Sequence, residues 1–342
     1  MKKLLSIICV LTLAFVFTAC SAQAKGIYSR AGFLPESSTK TVENVFERAE
    51  YSVKYATNEK SAENVTYTLN ENDSVFSTEL SVFDGDGSIG EVGKKYYRFS
   101  THTAIKGNYI FDGADHPAEN DVDTAVYFTG LKDGLSPVFS TRTVKADSLE
   151  KSGNSFVVKR YEYTVSTVYD TANKKATVDL VVENGSAADY SLLNDGETHA
   201  TYTLSGIDKN DYIDNEALLF APRAMSISSS SSIKISSIDA LSKKLQKLNL
   251  AYVAAGKTDF NRGDYTRKEL DYDTSTFVSS VSTVTLSLSV DSVYSGATQT
   301  LTFADSTEVK EYMRLVSMTV PATFNIGTFT FTVRSSEYGT RA

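Results

Sequence analysis

The sequence predicts an α+β protein, mainly β, built as two lobes of antiparallel sheet that meet near residue 225, each with a helix near its start. Three observations carry this expectation. Large residues alternate with Thr, Ser and charged residues through most of the chain, the period-two pattern of strands with one wet face. There are 20 Tyr and 18 Phe but only 5 Pro and no Trp, a composition suited to long pleated strands. Two stretches, one opening each half, instead place apolar residues at helical spacing.

The chain opens with Lys2 and Lys3, an apolar and small-residue run over residues 4–19, and then Cys20 and Ser21. A short positive end, an apolar stretch and small residues at its close make a secretory signal. Phe17-Thr18-Ala19-Cys20 resembles the lipobox of bacterial lipoproteins, with Phe17 where that family usually has leucine. The resemblance implies cleavage before Cys20 and a diacylglycerol on its thiol. It also implies lipid attachment to the cell membrane or outer membrane on the extracytoplasmic side, because two or more acyl chains hold firmly where one does not. Cys9 leaves with the signal, so Cys20 would be the sole cysteine and no intramolecular disulfide could form. An ordinary secretory signal cut at Ala19, or an uncleaved anchor helix, are the alternatives. Residues 20–38, rich in Ser, Ala, Gly and Lys with Pro35, read as a flexible tether.

Residues 39–224 are expected to form an N-terminal β-rich domain. Val42, Val45, Phe46 and Ala49 fall on one helix face, which predicts a helix over residues 39–49. Strands follow at residues 51–55, 65–69, 75–83, 95–100, 108–111 and 124–129. The clearest hairpin spans residues 155–183: Tyr161, Tyr163, Val165 and Tyr169 share one face, and Ala176, Val178, Leu180 and Val182 answer on the return strand. Tyr161, Tyr163 and Tyr169 are candidate ligand-lining residues, with half-buried core as the other reading. A further strand is expected near residues 200–204.

Composition breaks at Ala221-Pro222 and at residues 226–237, which hold eight Ser in twelve. A linker or an edge strand with Ile233 and Ile235 alternating both fit. Residues 225–342 then read as a C-terminal helix-plus-antiparallel-sheet domain. Ser236 and Asp239 match a capping box, and Ile238, Leu241, Leu245, Leu248 and Tyr252 follow at helical spacing up to Gly256. Strands are expected at residues 282–290, 298–303, 312–320 and 329–333.

Net charge is −8, and −10 once Lys2 and Lys3 leave with the signal, which argues against nucleic acid as a partner. Asp84, Asp86 and Ser88 alternate on a Gly-rich turn and Glu91 adds a carboxylate, a donor set suited to calcium. The stretch departs from the EF-hand pattern at Ile89 and Lys95, and a solvated hairpin turn explains the same residues. A second acidic run, Asp112 to Asp123 around His116, reads as a charged surface loop or a calcium-stabilised one. His102, His116 and His199 are scattered, so no zinc site arises from neighbours in sequence. No G-x-S-x-G, phosphate-binding or dinucleotide-binding motif occurs, so no catalytic residue is assigned. The expected plan, a curved antiparallel sheet with an apolar concave face and a helix closing it, is similar to periplasmic lipid-carrier lipoproteins. The expectation is a membrane-anchored extracytoplasmic binding or carrier protein for a lipid or other apolar small ligand or an envelope component. A structural or adhesive surface protein and an envelope hydrolase are the rivals.

Overall fold

The computed structural model describes residues 45–61, 63–130, 135–184, 197–208, 211–225, 227, 232–241, 243–259, 266–269, 280–290, 298–304 and 314–339. The expected signal, Cys20, the expected tether and the first part of the expected first helix lie outside the described residues. No described helix is long and apolar enough to cross a membrane.

The described residues form sixteen strands in one sheet. Before residue 225 these are β1 (Phe46–Thr57), β2 (Thr66–Leu69), β3 (Val75–Asp84), β4 (Lys95–Phe111), β5 (Ala114–Phe128), β6 (Pro137–Ser152), β7 (Ser155–Asp170), β8 (Lys175–Asn184) and β9 (His199–Ser205). After it come β10 (Ser232–Asp239), β11 (Lys244–Asp259), β12 (Thr266–Glu269), β13 (Ser280–Val290), β14 (Gln299–Ala304), β15 (Leu315–Pro321) and β16 (Gly327–Gly339). The order across the sheet is β10-β11-β13-β14-β15-β16-β1-β3-β4-β5-β6-β7-β8-β9, with β12 added to β16 and β2 to β4. Every pairing between the described strands is antiparallel except β12 on β16.

This overturns the expected α+β, two-lobed architecture. Only short 3-10 turns occur among the described residues, and the first and last strands, β1 and β16, pair from Phe46↔Gly339 to Thr57↔Gly327, joining the two halves into one sheet. One apolar core spans both halves: Phe76, Phe99 and Val126 share it with Leu248, Leu286, Phe303 and Leu315.

Both expected helices fail for identifiable reasons. In β1 the inward residues are Glu47, Ala49, Tyr51 and Val53, all buried at period two. The charge on Glu47 masks that alternation in the sequence, where Val45, Phe46 and Ala49 also satisfy the spacing of a helical stripe. The second helix is the hairpin of β10 and β11, broken at Lys243 with φ 54°, a left-handed conformation no helix interior accepts. Leu248 and Leu250, also at period two, pair with Ile235 and Ile233 on β10. Leu248, Leu250 and Ile235 are buried and Ile233 partly so, and β13 covers the other edge of β11. Pairing on both sides satisfies the backbone that a helix would otherwise have satisfied internally.

The hairpin read from residues 155–183 forms as β7 and β8 from Glu162↔Asn184 to Asp170↔Lys175, with Ala176, Val178, Leu180 and Val182 all buried. The acidic run after Asp112 becomes a tight turn and a strand: Asp112 and Gly113 both take positive φ, 51° and 74°, as a two-residue hairpin turn requires, and β5 follows.

The sheet curls until its end strands, β9 and β10, approach. A second apolar cluster bridges them, holding Val178, Leu180, Tyr202 and Ile238, and the Tyr202 hydroxyl donates to the Ala240 carbonyl. The segment 211–225 closes over the inside of the curl. Its Tyr212 bridges to Ser236 on β10, Phe220 packs on Phe99 and Phe128 at 5.4 and 5.0 Å, and Arg223 grips Glu47 on β1 through two bonds of 2.7 and 2.8 Å.

Candidate functional site

Inside the curl the two halves of the sheet leave a cleft of about 490 Å³. One wall is the inner face of β3 to β6. There Phe76, Thr103 and Val122 lie in register in one row, and Thr101, Thr124 and Arg142 in the next. The facing wall carries Leu248, Leu288, Gln299, Met318 and Val320, and the segment over the opening contributes Asn215, Glu216, Leu218 and Leu219. Thr101 and Thr103 share a strand face with the core residues Phe99 and Ile105, and Val122 with Val126, yet all three are only half-buried. The core is not filled at this point, and these side chains look into the cleft.

The polar end of the cleft is an ionic group. Arg142 Nη1 stands 3.9 Å from Glu216 Oε1, with side chains 43% and 13% accessible. Arg142 Nε is buried and donates no hydrogen bond. Asp214 caps the short 3-10 turn by accepting from the Glu216 amide at 2.7 Å. The Tyr169 hydroxyl donates to Asp214 and meets the Tyr212 hydroxyl at 2.7 Å. Burial pushes Glu216 up to about 7, with Arg142 drawing it down and Asp214 adding to the rise. Burial likewise raises Asp214, its bond from Tyr169 opposing the rise. Tyr169 is held well above the ordinary phenol by burial and then by the neighbouring Asp214. A hollow of about 30 Å³ lined by Tyr169, Tyr212 and Asp214 adjoins the cleft and shares Arg142, Asn215 and Glu216 with it.

Of the three tyrosines proposed from sequence, Tyr169 reaches this group. Tyr161 and Tyr163 pack against the second apolar cluster, and the Tyr161 hydroxyl donates to Glu150. Burial raises Tyr163, which also feels the charges of Arg142 and Glu216. Asp84, at the end of β3, and Asp86, Ser88 and Glu91, on the loop between β3 and β4, are all exposed. Asp86 Oδ1 is used within that loop, accepting from the amides of Ser88 and Ile89 at 2.9 and 2.8 Å and from the Ser88 hydroxyl at 2.7 Å. Asp84 ends β3 opposite Lys95, and Glu91 lies 3.7 Å from Lys94.

A different cluster can in principle coordinate a divalent ion. His102, Asp121 and Asp123 bring one donor atom each within 4.8 Å of one another on the outer face of β4 and β5. His102 Nδ1 is 2.9 Å from Asp123 and 3.8 Å from Asp121. His102 and Asp123 border an open polar groove of about 460 Å³ that also holds Arg48, Glu79 and Arg98. Sequence reasoning missed this trio because His102 meets the aspartates only across strands. The spacing of Asp121 and Asp123 was the available signal, since period two puts both on one face. It also missed Arg142, a charge on the same face as the buried Val144, and Glu216, in a segment with no periodicity.

The fold and cleft define a single curled antiparallel sheet with an internal, partly polar hollow. No family model and no curated protein sequence matches the chain. Among solved structures it is similar to a β-barrel-like protein of the domain of unknown function DUF1849 from Brucella abortus, with a TM-score of 0.47 and 10% identity over 87% of this chain and 99% of that one. Likeness at that level assigns neither family nor function.

Proposed function

We propose that this is a lipid-anchored extracytoplasmic protein that binds a small amphipathic ligand in the cleft between the halves of its sheet. The cleft carries the reading. Its volume of about 490 Å³ falls in the range of small-molecule sites, and its lining combines apolar side chains with polar ones, the charged pair Arg142 and Glu216 lying together. The lipobox-like segment ending at Cys20 supports tethering at the membrane, where such ligands are found. The structural or adhesive role and the hydrolase have no comparable feature behind them. A divalent cation is a second reading, favoured by the His102 trio rather than by Asp84 and Asp86. Its mixed imidazole and carboxylate donors suit a transition metal better than calcium, which takes oxygen.

Native mass spectrometry of residues 20–342 carrying Cys20→Ser, purified from a host membrane extract, tests the main reading. The expected spectrum shows a non-covalent small molecule, lost in a Val122→Trp variant that fills the cleft. Protein that stays empty in such an extract would remove the reading.

A further inference from the structure

Resting on the reading of the cleft as a ligand site, we propose that its ligand carries a single carboxylate head, held by Arg142, with an apolar tail lying along Leu218, Leu219, Leu248, Leu288, Met318 and Val320.

The argument begins with where Arg142 stands. It lies on the inner face of β6, in register with Thr124, at a position where neighbouring inward residues such as Val144 are buried. Arg142 Nε is buried without a hydrogen bond while the side chain as a whole is 43% accessible, so the guanidinium is anchored at one edge and open to the cleft at the other. Its carboxylate neighbour Glu216 is 3.9 Å away, beyond a hydrogen bond. The accessible part of the side chain therefore offers a planar fork of donors to the cleft, a shape matched to a carboxylate.

Charge sets the stoichiometry. Arg142 is the sole cationic side chain among the described residues lining the cleft. Glu216 beside it would repel a dianion, whereas its raised pKa lets it stand protonated near neutral pH and donate to a bound carboxylate. A monoanion leaves the group near neutral. The hydroxyls of Thr101 and Thr124, 2.8 Å apart in the same row, add polar surface at the head end. Beyond them Leu218, Leu219, Leu248, Leu288, Met318 and Val320 offer apolar surface for an alkyl tail, with Gln246, Ser289 and Gln299 among them on the facing wall.

Calorimetric titration of residues 20–342 with Cys20→Ser tests this, using dodecanoate, dodecanol and dodecyl phosphate as probes. The expected result is at least tenfold tighter binding of dodecanoate than of dodecanol, a preference abolished in Arg142→Met and kept in part by Arg142→Lys. Circular dichroism verifies that both variants fold, and the three probes on the unsubstituted cleft decide the matter if Arg142→Met does not. Equal affinity for dodecanoate and dodecanol, or a preference that survives Arg142→Met, overturns the anion assignment while leaving the cleft reading intact. Tighter binding of dodecyl phosphate overturns the carboxylate. Binding of no probe overturns both the assignment and the reading beneath it.

Discussion

Two arginine–glutamate pairs lie on the inner side of the sheet, and they have opposite characters. At the seam, Arg223 clasps Glu47 through both nitrogens at 2.7 and 2.8 Å, with Arg314 at 3.7 Å, and all three side chains are at most 6% accessible. At the cleft, Arg142 and Glu216 face each other at 3.9 Å without a hydrogen bond. Burial raises both carboxylates. At Glu47 it is overcome by the charge and hydrogen bonds of Arg223 and then Arg314, so the net effect is lowered. At Glu216 burial wins and the carboxyl rises to about 7. The same residue types serve the fold where geometry is bidentate and stay available for a ligand where it is not.

The contrast breaks first at the seam. Glu47→Gln leaves two buried guanidiniums uncompensated and is expected to cost about 3–5 kcal/mol in urea unfolding. A loss under about 1 kcal/mol would dissolve the distinction between the pairs. The next largest effect is at the cleft and has the other sign. Glu216 has a folded pKa above its unfolded one, so the folded state binds the proton more tightly. Its favourable contribution is complete below about pH 4.5 and is lost as pH rises towards 7. Glu216→Gln is therefore expected to gain on the order of 2–3 kcal/mol over the parent protein at pH 8 and to lose that advantage near pH 4. A difference that does not vary between these pH values would show that Glu216 is not buried as a charge. Glu47 runs the other way: its lowered pKa contributes stability above about pH 4.5, lost as pH falls through its folded value.

Smaller effects sharpen the comparison. Arg142→Met is expected to change unfolding free energy by no more than about 1 kcal/mol, as for a poorly made ion pair, while altering ligand preference. A larger loss would make the cleft pair structural as well. His102→Ala on the outer face is expected to stay within about 0.5 kcal/mol. A zinc titration that gives heat with the parent and none with this variant would confirm the cation site, and no heat with either would dispose of it.

Strands were legible wherever inward residues were uniformly apolar. Ala176, Val178, Leu180 and Val182 announced β8 because nothing interrupts their alternation. They failed to be legible where an inward position is charged, as at Glu47, or where two periodicities coexist. Leu241, Leu245, Leu248 and Tyr252 satisfy a helix, while Leu248, Leu250 and Tyr252 satisfy a strand. The choice went to the partners on either side, Ile235 on β10 and Val290 on β13. Of the site, only Tyr169 was anticipated, because the rest converge from segments far apart in the chain.

By itself, the sequence determined that this is a chain of long, one-face-wet strands, without a disulfide among residues beyond Cys20 and with an acidic balance. Those are local or additive properties, set by alternation, counts and charge. Tertiary structure decided that the strands make one sheet and not two lobes, because β1 meets β16 across almost the whole chain. It also decided that Arg142 looks into a hollow while Arg223 is sealed in the seam. Whether a buried charge finds a partner depends on distances between segments far apart in the chain, and no local pattern encodes them.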